Sequence, residues 1–169
     1  MQDPAARFRE FIHLDRKRAA AGLTTAEMER WTQLKRAFTK RLTPDAKNRA
    51  DRRESMRVPV KLKVAFETVG ALRDSYMTDF SRGGVFIATE TPAEIGTSIT
   101  LRIRIGETGD DVEVPGVVVT QNLGPGLQST QRGMGVRFSD MPASVRKRID
   151  DLYEQSLREA TAKQAAKGG

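Results

Sequence analysis

The chain contains no cysteine and a single histidine, His13. Disulfides and thiolate metal sites are therefore excluded. A histidine-based metal cluster or catalytic triad also lacks its building material. Aromatic residues are sparse, with one Trp, and no apolar run approaches the roughly 18 residues of a membrane span. The segment Met1 to Ala5 lacks the basic-then-apolar pattern of a signal peptide. These absences predict a cytoplasmic protein that does not insert into a membrane. No nucleophile–base pair and no paired-carboxylate site is recognisable, so neither catalysis nor a bound metal or cofactor is expected.

What is present is uneven. Residues 1–63 hold 17 Lys and Arg against 8 Asp and Glu, whereas residues 64–169 hold 12 against 14. The surplus positive charge thus belongs to the N-terminal part. Such asymmetry points to an anionic partner there, or to a solvated helical surface. At 169 residues the chain can form one domain and an appendage.

The appendage reads as a helical hairpin over residues 1–43. Asp3 can cap a helix and Pro4 suits its first position. Phe8, Phe11 and Ile12 follow at near-helical spacing, and Gly22 provides a C-terminal cap. Thr24 and Glu27 have the spacing of a capping box. Met28, Trp31, Leu34 and Phe38 then recur every three or four residues and predict one apolar face on a second helix. The spacing fits packing against the first helix better than a ligand box. His13 is expected at the surface or at its boundary, without a catalytic role.

Residues 44–57 read as a polar linker that ends in a cluster of arginines. From Val58 the composition changes. Residues 58–66 alternate apolar and basic side chains, which predicts a half-buried strand with Pro59 at its start. A weaker strand is expected over 73–78, leading into a turn at Asp79. Strands follow over 84–88, 98–105, 112–120 and 135–138. Pro115-Gly116 predicts a bulge or bend. Gly106–Gly109 and Gly124–Gly126 mark connections. Helical spacing resumes after Pro142, with Val145, Ile149, Leu152 and Tyr153 on one face; the tail from Ala160 is expected to fray. Six short strands without intervening helices indicate an antiparallel barrel or sandwich.

Two stretches carry chemistry. Arg52, Arg53 and Arg57 place three guanidiniums within six residues. Their planar forks suit phosphate oxygens and the O6/N7 edge of guanine. A basic linker is the competing reading. Asp79-Phe80-Ser81-Arg82-Gly83-Gly84 places a carboxylate, a hydroxyl and glycines close together. The carboxylate can accept from a purine's N–H groups, and a glycine lets backbone approach a ligand. An ordinary Asp/Ser turn is the alternative.

Taken together these stretches resemble the PilZ domain family. Arg53-Glu54-Ser55-Met56-Arg57 is similar to its R-x-x-x-R loop. Asp79-Phe80-Ser81-Arg82-Gly83-Gly84 is similar to its D/N-x-S-x-x-G motif. Gly135-Val136-Arg137-Phe138-Ser139-Asp140 is also like family members, and the resemblance covers about residues 50–153. It implies a mainly β fold: a six-stranded antiparallel barrel with a C-terminal helix, here over 58–160; the helical hairpin that precedes it matches nothing in the family pattern. It also implies a receptor for cyclic di-GMP with no further cofactor. Arg53 and Arg57 would hold guanine edges and phosphates with help from Arg52. Asp79 and Ser81 would contact a guanine, with Gly83 and Gly84 against it. In this family the arginine loop often changes conformation on binding, which makes 44–57 a switch segment.

Two other readings remain open. One is an adaptor of the same fold that binds protein and no nucleotide. The other is nucleic-acid binding through the basic N-terminal half, although its aromatic residues sit on an apolar face. Under the receptor reading the hairpin serves to recruit a protein target or to pair with a second copy.

Overall fold

The computed structural model describes residues 3–42, 56–68, 71–105, 110–123 and 132–167. Its contacts divide the chain into two compact units, residues 1–56 with 161–169, and residues 57–160. The arginine cluster at 52 and 53, most of the 44–57 linker and the loops at 106–109 and 124–126 lie outside the described residues.

The first unit contains helices α1 (Pro4–Ala20) and α2 (Thr25–Leu42). Asp3 caps α1 by accepting from the Ala5 N–H at 3.2 Å, and Pro4 opens the helix. The helix ends where Gly22 turns into the left-handed region at φ +86°, with its N–H bonded to the Lys17 carbonyl at 3.1 Å. Thr24 and Glu27 form a reciprocal capping box: the Thr24 N–H donates to the Glu27 carboxylate at 2.9 Å, and the Glu27 N–H to the Thr24 hydroxyl at 3.3 Å.

Phe11, Trp31, Leu34 and Phe38 are buried, and the Phe11 ring lies 5.4 Å from Phe38 and 6.4 Å from Trp31. Met28 departs from the expected apolar face and is exposed. At that end the helices are joined by the Lys17–Glu27 ion pair, 2.6 Å, in place of apolar contact. Polar groups enter the buried face instead. The Trp31 Nε1–H donates to Asp15 at 2.9 Å, and the Arg18 guanidinium stands 4.5 Å from the indole centroid. His13 is exposed.

The second unit is a closed antiparallel barrel in the order β1-β2-β3-β6-β5-β4. Its strands are β1 (Val58–Thr68), β2 (Ala71–Ser81), β3 (Gly84–Ala88), β4 (Ser98–Ile105), β5 (Asp110–Asn122) and β6 (Gly133–Phe138). Alternation sends Val64, Phe66, Ile87, Leu101, Ile103, Val114, Val118 and Val136 inward, and a register shift in β2 between Met77 and Asp79 lets both Met77 and Phe80 join them; all are buried.

Three local expectations change. Strand β2 is longer than the sequence implies and includes Asp79, Phe80 and Ser81; the turn is Arg82-Gly83 alone. Phe80 points into the core, so its neighbours Asp79 and Ser81 continue the alternation outward. The bulge in β5 falls between Val118 and Thr120, not at Pro115-Gly116. Pro115 sits at the end of β6 pairing, where its carbonyl accepts from the Ser139 N–H at 2.9 Å. Its missing N–H therefore costs the middle of the ladder nothing.

The C-terminal helix α3 (Ala143–Lys167) does not fray from Ala160 as expected. Ala, Lys and Gln are strong helix formers, and no breaker occurs before Gly168. Within the barrel unit Tyr153 is fully buried and its ring meets Phe80 edge-on at 5.8 Å. No described helix is long and apolar enough to cross a membrane.

Candidate functional site

Strand register builds the site. Val58 pairs with Phe80, and both point into the core. Arg57, one residue earlier, therefore lies on the outer side beside Ser81, and Pro59 lies opposite Asp79. Across β3, Ser81 pairs with Gly84 and Asp79 with Phe86. Across β6, Gly84 pairs with Arg137 and Phe86 with Gly135. Two rows of outward residues thus cross four strands, one carrying Gly84 on β3 and the other ending on Gly135 of β6.

Those glycines leave a depression on the barrel wall of about 200 Å³. Arg57, Asp79, Ser81, Gly83 and Gly84 line it, together with Phe86, Val119, Thr120, Gly135 and Arg137. Arg57, Gly83 and Arg137 are exposed; Asp79 and Ser81 are half-buried. The Ser81 hydroxyl donates to the Gly84 carbonyl at 3.2 Å, which holds the strand end together across the turn. Two cations and one carboxylate around an apolar floor can engage a ligand that bears both an anionic group and a planar N–H-bearing ring.

The two glycines of the motif differ in what surrounds them. A Cβ on Gly84 would run into the carbonyl oxygen of Val136, so the close approach of β6 alone requires glycine there. A Cβ on Gly83 would meet nothing. Of the residues named from sequence, Arg57, Asp79, Ser81, Gly83 and Gly84 share this cleft, while Arg52 and Arg53 lie outside the described residues.

Sequence reasoning missed Arg137, Thr120, Val119 and Phe86 as lining residues. Alternation around Val136 and Phe138 does place Arg137 outward. Nothing local indicates that β6 sits between β3 and β5, which is what carries Arg137 to the site. Val119 reaches the cleft because the bulge at that position turns it out of the ladder.

A second cleft, of about 340 Å³, lies across β2, β1, β4 and β5 and includes Lys63, Ala65, Tyr76, Arg102 and Arg104. Its arginines are engaged in cross-strand ion pairs, Arg102–Glu113 at 3.2 Å and Arg104–Asp111 at 3.5 Å. We therefore favour the smaller cleft, despite its size, because it gathers the motif residues. Among the described residues no group of His, Asp and Glu could hold a metal ion.

Six antiparallel strands that close on themselves define a β-barrel domain rather than an open sandwich. The family model for the PilZ domain matches residues 51–155. The chain belongs to the PilZ domain family. No curated protein matches the sequence.

Solved structures are similar in fold. The PilZ domain of YcgR from Escherichia coli, solved with c-di-GMP, is 16% identical with a TM-score of 0.55; the match covers 66% of this chain and 96% of that one. The inhibitor of motility MotI/DgrA from Bacillus subtilis is 20% identical with a TM-score of 0.53, covering 64% of this chain and 52% of that one. The K. pneumonia MrkH–c-di-GMP complex is 18% identical with a TM-score of 0.54, covering 66% and 55%. The chain thus matches about half the length of the last two proteins.

Proposed function

We propose that this protein is a receptor for cyclic di-GMP and that the ligand seats in the cleft on the outer barrel wall. The observation that carries the reading is the convergence of Arg57, Asp79, Ser81, Gly83 and Gly84 on that one cleft. Arg57 offers a planar fork to a phosphate or to the O6/N7 edge of guanine. Asp79 accepts from guanine N–H groups, and Ser81 can serve either way. A site for phosphate alone would gain nothing from the carboxylate. Arg52 and Arg53 complete the cationic side in this reading, and Arg137 adds a cation from the far rim. The family match and the c-di-GMP in two of the similar structures support the same ligand.

The reading extends to output. Residues 44–57 are the switch segment, and the helical pair over 1–43 recruits a protein target or a second copy. No catalytic step is assigned to the cleft.

Titration calorimetry with cyclic di-GMP tests the proposal. The wild-type chain is expected to bind at micromolar concentration or tighter. Arg57→Ala or Asp79→Ala removes a hydrogen bond to a charged group, about 2 kcal/mol or some thirtyfold in Kd. Arg137→Ala at the rim is expected to weaken binding less. Absence of wild-type binding at about 100 μM ligand, roughly 5 kcal/mol of affinity, would overturn the proposal.

A further inference from the structure

Arg82 lies inside the sequence motif but outside the cleft. Its residue is only 8% exposed. Its guanidinium reaches α3, where it meets Glu154 at 2.9 Å and Asp150 at 3.2 Å. It also stands 4.8 Å from the centre of the Tyr153 ring. The grip is returned: Arg146 donates to the Arg82 carbonyl at 2.6 Å and to Asp150 at the same distance. Arg146, Asp150, Tyr153 and Glu154 fall at i, i+4, i+7 and i+8, so they form one face of α3. That face holds both the side chain and the backbone of a two-residue turn.

Stability alone is a poor reason for such an arrangement. Burying a guanidinium and a carboxylate costs about as much as their attraction returns, and an apolar pair of similar volume often does as well. A two-residue hairpin turn also needs no such anchor. Arg82 does, however, sit directly between two lining residues of the cleft, Ser81 and Gly83.

We propose that Arg82 is a positioning residue: held by Glu154, Asp150 and Arg146 of α3, it sets Ser81 and Gly83 at the cleft edge. Cleft occupancy and the seating of α3 are then linked, each stabilising the other, as linkage between two sites requires. The inference rests on the receptor reading above for its ligand, but its structural half stands apart from it.

The test uses the full chain and the variants Glu154→Gln, Asp150→Asn and Arg82→Lys. Three quantities are read: Kd for cyclic di-GMP, the unfolding temperature, and hydrogen exchange of backbone amides in residues 79–86 and in α3. Glu154→Gln is expected to raise Kd roughly tenfold, within the usual range of coupling between sites. It is also expected to speed exchange at 79–86 while leaving β4 unchanged. In the wild-type chain, ligand should slow exchange in α3, which lies outside the cleft. Arg82→Lys, which keeps the charge and loses the fork, should fall between.

A lowered unfolding temperature with Kd within twofold of wild type and unchanged exchange at 79–86 would overturn the proposal. So would unchanged exchange in α3 on saturation with ligand. If Glu154→Gln does not fold, Asp150→Asn decides by the same readings. If the wild-type chain binds no cyclic di-GMP, the receptor reading fails, and faster exchange at 79–86 in the variants still upholds the positioning role, while its absence ends it.

Discussion

Gly83 and Gly84 are adjacent, share the cleft and answer to different neighbours. Ala at position 84 would press its Cβ onto the Val136 carbonyl oxygen, a backbone atom that cannot swing aside. We expect Gly84→Ala to destabilise the barrel by about 1–3 kcal/mol. Gly83→Ala meets open space and lacks a left-handed φ, so it is expected to leave stability unchanged or raise it by about 0.4–1 kcal/mol. Under the receptor reading it nonetheless weakens cyclic di-GMP binding, because the added methyl stands where ligand would. Thermal unfolding paired with calorimetry checks both variants. A Gly83→Ala protein that binds as tightly as wild type removes Gly83 from the site.

The helical elements carry their own control points. Glu27, at the start of α2, has its carboxyl pKa lowered from 4.5 to about 2, first by the hydrogen bond from Lys17 and then by the Thr24 backbone N–H. A carboxyl with a lowered folded-state pKa contributes stability that is present above its unfolded value and lost as pH falls. The contribution of this box is therefore intact above pH 4.5 and disappears as pH drops toward about 2. Glu10 is lowered in the same sense by its hydrogen bond to Arg30, so the two pairs weaken together in acid. The expected outcome is loss of amide protection at Thr24 and in the first turn of α2 over that window. Thr24→Ala removes the other half of the box and is expected to cost about 1 kcal/mol at neutral pH. Unchanged first-turn exchange in acid would show that the pair adds nothing to the helix start.

The division into two units shapes how the whole chain responds to heat and to ligand. Multi-unit chains depart from two-state unfolding, so a single unfolding temperature need not describe this protein. Anything that binds only the folded barrel stabilises it by mass action, about 2.7 kcal/mol at a hundredfold excess over Kd. For a barrel of this size that is a rise of roughly 10 °C or more. Scanning calorimetry is expected to show the ligand raising the transition of residues 57–160. A rise confined to the other unit would place the ligand outside the barrel.

Much of this molecule is legible without coordinates, because its signals are local. Asp3, Pro4, Gly22 and the Thr24–Glu27 box each act within five residues, so capping chemistry marked both helices of the pair. Alternation with period two marked the strands, since it needs only neighbours in sequence. The motif around Asp79 was visible as a motif, although it lies in a strand where a turn was expected. What sequence could not supply are the partners brought from far along the chain. Strand β6 is inserted between β3 and β5, which delivers Arg137 to the cleft and forces glycine at 84. Arg82 meets Glu154, 72 residues away, and Asp150 on the same helix. Burial of a polar side chain depends on which distant surface covers it, and local patterning holds no record of that. Residue types and spacing therefore determined the helices, the strands and the family, and closure of the barrel decided which side chains share a wall.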